Sequence, residues 1–322
     1  MRRRRFLAST AAVLAAPYAA KAQARIHRVG VILLGGPYTA VIDGLRDGLK
    51  GFGLEERAQF VLDVRDTKGD RASIATAARN LEAERVDLIF TVNTSITLVS
   101  MRSTKNVPIV FYAGTDPVAV GLIESFPKPG GRLTGVYSRF ADLPGKRLQL
   151  LTELIPSVRR VLTFFDPGLP VNQRALMMGR DAARQLKVEI VERPAESVEK
   201  LRAGLRAIRP GEVDAYFNIS DAMVISQASF VAEAALAIRL PTMFADKESV
   251  GMGALAGYGG SYYEAARLAA RHVRAVLLGA NPGTVPVEQY DKLGFFINLK
   301  TARALGLTIP PALQLRADEV FE

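Results

Sequence analysis

A chain of 322 residues without a cysteine can hold no disulfide, no thiolate metal site and no cysteine nucleophile; its two histidines, His27 and His272, lie far apart in sequence, which argues against a catalytic triad or a metal cage. The formal charge of +10 falls to +5 once residues 1–24, with Arg2, Arg3, Arg4, Arg5 and Lys21, are set aside, so the remainder is only mildly basic and is no nucleic-acid binder on charge grounds. That remainder exceeds the usual size of one hydrophobic core, which calls for two lobes.

In chain order, residues 1–24 combine four arginines, Phe6-Leu7, an Ala/Val/Leu-rich span of roughly 10 residues and the small-residue triplets Ala20-Lys21-Ala22 and Ala22-Gln23-Ala24. This is the pattern of a cleaved export leader, and Arg3-Arg4-x-Phe6-Leu7 fits its twin-arginine form. The apolar span falls short of the ~20 residues that a membrane crossing needs. A basic nucleic-acid arm would need neither that span nor the cleavage site. The expected location is the periplasm, by the twin-arginine route.

The rest alternates apolar runs with helical patterns. Residues 26–34 are a β-branched run stopped by Gly35-Gly36-Pro37, a buried strand and its turn. A helix follows with Val41, Leu45, Leu49 and Phe52 on one face. Strands are predicted over 60–64, 87–92, 108–112 and 133–137, with helices over 72–84 and 96–105 between them. A second cycle places strands over 161–165, 188–191, 214–219 and 241–244 among helices over 143–155, 172–186, 198–208 and 225–239. The tail adds a short strand over 254–258, an amphipathic helix over 262–278, a strand over 295–299 and a helix over 301–305. On the 262–278 helix Ala265, Ala266, Ala269, Val273, Val276 and Leu277 face inward; Arg267, Arg271 and Arg274 share the other face, read as solvated or as a permease-docking row.

Alternating strands and helices imply parallel sheets covered on both faces. The predicted class is α/β, with two doubly wound Rossmann-like lobes joined by a multi-strand hinge. The division expected is residues 25–138 plus about 255–285 for the N-terminal lobe, and 139–254 plus about 286–322 for the C-terminal lobe.

In such sheets a ligand lies outside the carboxyl ends of the strands. That rule selects Gly36, Tyr38 and Thr39, then Asn93, Thr94 and Ser95, then Thr115, Asp116 and Tyr137 from the first lobe. From the second it selects Asp166, Asn172, Ser220, Asp221 and Asp246, with Tyr258 beside the crossing segment. Thr94-Ser95 opens a helix, whose free N–H groups favour an anion such as a carboxylate. The aspartates suit an ammonium or hydroxyls, and the tyrosines offer flat walls with polar tips. Together they suit a small zwitterion or polar organic acid. Asp and Ser/Thr at strand-to-helix junctions are equally ordinary N-caps, a reading that stays open for Ser95, Asp116 and Asp221, and Tyr112 inside its strand reads as core.

Enzyme signatures are sparse. Gly251-x-Gly253-x-x-Ala256 has the letters of a dinucleotide fingerprint, but the strand predicted at 254–258 stands where its helix should open. Neither a phosphate-binding loop nor a G-x-S-x-G elbow occurs, and no cofactor or metal is expected. Converging aspartates acting as a glycosidase pair are the remaining enzyme alternative.

Several stretches resemble the substrate-binding proteins of ABC transporters, the tryptophan/tyrosine-type binding proteins among them. The resemblance runs through Val29-Gly30-Val31, Pro108-Ile109-Val110-Phe111 leading to Thr115-Asp116-Pro117-Val118, Leu133-Thr134-Gly135-Val136 and Gly145-Lys146-Arg147-Leu148 with Leu150-Leu151. It is most specific at 296–311, from Phe296-Ile297-Asn298-Leu299 to Ile309-Pro310-Pro311. It implies a type I periplasmic-binding-protein fold, no catalysis, and a ligand held between the lobes and delivered to an ABC permease in the inner membrane. With the loop chemistry above, the expected solute is a small organic one (an amino acid or an aromatic or carboxylate compound), and the protein is expected to be a monomer. An extracytoplasmic sensing module that signals to a membrane receptor is the alternative. Gly35-Gly36-Pro37-Tyr38 and Asp166-Pro167-Gly168 depart from the family's usual loops, so ligand identity does not come with the resemblance.

Overall fold

The computed structural model describes residues 25–139 and 142–322 of the protein; the leader read in residues 1–24 lies outside the described residues. The first lobe opens with β1 (His27–Leu33), whose Val29, Val31, Ile32 and Leu33 are fully buried although they alternate in facing, as a parallel strand between two helix layers requires. Gly35 and Gly36 turn the chain at φ values of +79° and +56°, the left-handed region open to glycine. Next come α1 (Ala40–Gly51), β2 (Phe60–Asp66), α2 (Ala72–Ala83), β3 (Leu88–Val92), α3 (Thr94–Ser103), β4 (Ile109–Ala113) and β5 (Leu133–Tyr137).

The second lobe contains α4 (Pro144–Leu154), β6 (Arg160–Phe165), α5 (Pro170–Leu186), β7 (Glu189–Pro194), α6 (Val198–Arg206), β8 (Ala215–Phe217), α7 (Ala222–Ser226), α8 (Ala228–Ala237), β9 (Thr242–Asp246), α9 (Lys247–Gly251) and β10 (Ala256–Gly260). The chain then adds α10 (Tyr262–Leu277), β11 (Glu288–Gln289), β12 (Gly294–Asn298), α11 (Leu299–Leu305), α12 (Pro311–Arg316) and β13 (Glu319–Phe321).

Two sheets result. The first runs β11-β5-β4-β3-β1-β2, all parallel. The second runs β13-β12-β10-β9-β8-β6-β7, parallel except where β10 meets β12. Ladder hydrogen bonds correct the expected division at two points. Residues 256–260 form β10, which pairs with β9 and β12 and so belongs to the second sheet, not to the first lobe. Within 286–322, β11 pairs with β5 of the first. Of the 255–285 stretch it is α10 that returns to the first lobe, along α1. The helix predicted over 225–239 is also split: Gln227, at φ −103°, caps both α7 and α8.

The chain therefore crosses between lobes three times, after β5, after β10 and after β11. The crossings are bonded to one another. Tyr290 N donates to Tyr137 O at 2.7 Å, and Ser261 N donates to the Tyr290 hydroxyl at 3.4 Å. Tyr112 and Ser138 share a hydroxyl–hydroxyl bond of 3.0 Å. Among the described residues, no helix is long and apolar enough to cross a membrane.

Candidate ligand-binding cleft

In the first sheet the strand order reverses between β1 and β3, and in the second between β6 and β8. Loops leave a doubly wound sheet in opposite directions at such a point and open a crevice. Here the two crevices share one cavity. Asn93, Thr94, Ser95, Gly114 and Thr115 line it from the first lobe; Leu169, Val171, Asn172, Ala175, Ile219, Ser220 and Ala222 line it from the second. Its free space is about 20 Å³, room for little more than one water, which needs ~10–15 Å³. A solute enters only if the lobes part. Among the contacts that join them, Arg71 of the first lobe is ion-paired with Asp166 of the second, and Gly36 abuts the backbone of Ser226 so closely that a Cβ would lie 2.3 Å from its carbonyl oxygen.

The first-lobe wall is built from the ends of β3 and β4. Asn93 takes a left-handed φ of +83°, and its Oδ1 accepts both the Ser95 N–H (2.8 Å) and the Ser95 hydroxyl (2.9 Å), capping α3. Thr94 Oγ1 accepts from Gly114 N at 3.2 Å and shares a 3.0 Å bond with Thr115 Oγ1, which ties the two loops together. The second-lobe wall hangs on Asp221. Its carboxylate accepts from Val224 N (3.0 Å), from Asp166 N (2.8 Å) and from Asn172 Nδ2, so it caps α7 and pins the β6 loop. Burial raises its pKa above the ordinary carboxylate range. Ser220 also lies in the left-handed region, φ +78°, with its N–H on Asn218 Oδ1 at 2.7 Å and its hydroxyl accepting from Arg147 Nη1 at 2.9 Å.

Of the residues selected from sequence, Asn93, Thr94, Ser95, Thr115, Asn172 and Ser220 converge on the cavity. The others are placed elsewhere. Gly36 meets the second lobe rather than the cavity, and Thr39 bonds back to Gly36 O. Tyr38 is fully buried, its ring 4.7 Å from that of Tyr262. Asp116 caps its own turn through Val118 N and Ala119 N. Tyr137 stacks on Phe126 and donates to Gln289. Asp166 faces Arg71, Asp221 is saturated as described, and Asp246 caps α9 through Ser249. Tyr258 packs against the second-lobe core from within β10.

Arg71 and Arg147 were missed. The pattern held a signal for the second: Arg147 stands four residues before Leu151 and seven before Leu154, on the apolar face of α4, where a charge needs a reason. Nothing in the sequence distinguishes Leu169, Val171 and Ala175 from ordinary helix-start residues. The arginine row of α10 is engaged locally: Arg267 pairs with Glu264, Arg271 with Glu288, and Arg274 lies over the Phe52 ring. Buried His272, pushed down to about 4 by desolvation, bonds to Pro286 O. Gly251 ends α9 and Ala256 opens β10, so that glycine run begins no helix.

The model of the ABC transporter substrate binding protein family matches residues 28–321. A tyrosine-binding protein from Clostridioides difficile (strain R20291) is 25% identical over 264 residues, 82% of this chain and 76% of that one. A conserved domain protein from Vibrio cholerae superposes with a TM-score of 0.81 at 27% identity, covering 92% of this chain and all of that one. The ABC domain in complex with L-Trp from Streptococcus pneumoniae does so with a TM-score of 0.79 at 22% identity, over 92% and 100%. The matching family and the tyrosine-binding relative are solute-binding proteins rather than enzymes, and the paired doubly wound lobes are the type I periplasmic-binding-protein fold. With the family model matching residues 28–321, the chain belongs to the ABC transporter substrate-binding protein family.

Proposed function

We propose that the protein is exported to the periplasm, binds an amino acid between its lobes and delivers it to an ABC permease of the inner membrane. The observation that carries this reading is the cavity at the two facing switch points, lined from both lobes by hydroxyl and amide groups. A solute touching both walls stabilises the closed arrangement by its differential affinity for it. The leader pattern of residues 1–24 supports export, and the tyrosine-binding and L-Trp-bound relatives support an amino acid. The apolar part of the lining is aliphatic, from Leu169, Val171, Ala175, Ile219 and Ala222, so a side chain is gripped by methyl groups rather than stacked on a ring.

A melting screen of the purified protein against L-tryptophan, L-tyrosine, L-leucine and L-valine tests the reading. At least one should raise the melting point by several degrees through mass action. Thr94→Val should then weaken that ligand about tenfold by removing a cavity hydroxyl. Absence of any shift with all four, or conversion of the solute on incubation, overturns the proposal.

A further inference from the structure

Arg147 is an anomaly of α4. Its guanidinium is fully buried, yet only Nη1 has a hydrogen-bond acceptor, the Ser220 hydroxyl; among the described residues Nε and Nη2 have none. A buried cation left so incompletely paired is costly and marks a site whose partner comes from elsewhere. The carboxylate that acts on it electrostatically, Asp246, has one oxygen on Ser249 N and the other on Ser249 Oγ. Burial also raises Asp246 to about 7, so its negative charge is only partial at neutral pH.

Ser220 transmits this charge to the cavity it lines. A hydroxyl has one proton and two lone pairs. The Ser220 oxygen already accepts from the guanidinium, which polarises its O–H and leaves that proton for an acceptor in the cavity. Across the cavity Ser95 has the opposite polarity: its proton is on Asn93 Oδ1, which leaves oxygen lone pairs. Asn93 Oδ1 also occupies the Ser95 N–H, so the amide of α3 that the sequence reading offered to a carboxylate is engaged.

We propose that Ser220, held as a donor by Arg147, receives the ligand's carboxylate on the second lobe, while Ser95 accepts from its ammonium on the first. This rests on the amino-acid reading above. Ser220 touches the ligand; Arg147 is a positioning residue that acts through it.

Calorimetric titration of the purified protein with L-tyrosine, L-tryptophan and L-leucine, each against its carboxamide, tests the assignment. Wild type should prefer the acid to the amide by about 100-fold, the usual size of the loss when a charged partner of a buried donor is removed. Ser220→Ala and Arg147→Met should each bring that ratio below about tenfold, with Arg147→Lys restoring part of it. Thr94→Val should weaken acid and amide alike. A merely structural Arg147 would also weaken both equally, and an unchanged acid-to-amide ratio in Ser220→Ala and Arg147→Met overturns the proposal. If Arg147→Met fails to fold, Ser220→Ala decides alone. Binding of none of the three acids, nor of L-valine, to wild type overturns the amino-acid reading itself, and this assignment with it.

Discussion

Asp246 ends β9 with its carboxylate inside the protein, where it caps α9 through the Ser249 N–H and hydroxyl. Desolvation, and then Glu248, raise its pKa from 3.8 to about 7. A carboxyl whose pKa is higher in the folded state binds more protons there than in the unfolded state. Its contribution therefore favours folding least at high pH: stability is lost as pH rises from about 4 to about 7 and is level above that. Asparagine caps a helix as well as aspartate does and carries no charge. Asp246→Asn should thus gain on wild type between pH 5 and pH 8 by on the order of 2 kcal/mol, measured as denaturant midpoints across that range. A pH-independent difference would remove the charge from the account. The short helix that Asp246 caps was not predicted, and only its place just past a strand was legible. The burial was not, because it comes from tertiary packing around the end of β9 and not from neighbouring residues.

The α1–α10 pair shows what periodicity reveals and what it hides. The inward row of α10 is buried as its spacing predicts, from Ala265 to Leu277. Its partner was not legible, since α1 and α10 lie more than two hundred residues apart in the chain. The fit depends on Gly44 and Gly48, where an added Cβ would lie 2.2 Å from Tyr263 O and 2.5 Å from Ala270 Cβ. Alanine gains about 1 kcal/mol over glycine in a helix, but backbone oxygen at that distance cannot yield without prising the helices apart. Gly44→Ala should destabilise by about 1–2 kcal/mol net, whereas Gly51→Ala on the same helix, with open space around it, should stabilise slightly. Equal effects in chemical denaturation would contradict the close approach. The elements that escaped prediction, α9, β11, α12 and β13, are five, two, six and three residues long. The two strands are defined by pairing with β5 and β12, information that no local pattern contains.

For the molecule as a whole, the two-lobed plan was legible from the repeated alternation of strand and helix. Which lobe received β10 and β11 was not, because ladder bonds formed at a distance decide it. Gly36 is one of the points at which the lobes meet. At φ +56°, with a Cβ there only 2.3 Å from Ser226 O, Gly36→Val should hold the lobes apart while each keeps its own core. Small-angle scattering should show a larger radius of gyration than wild type, and affinity for any bound amino acid should fall at least about tenfold. Unchanged size and affinity would show that the lobes do not meet there in solution.

The bonded crossings bear on stereochemistry. Three separate tethers would let the lobes slide and twist, so that the halves of the site met differently each time. Joined through Tyr137, Ser261 and Tyr290, they behave as one pin. Bonds across the crossings resist shear more than swing, and a clamp that closes along one path presents the same asymmetric set of groups each time, the condition for telling one enantiomer from its mirror image.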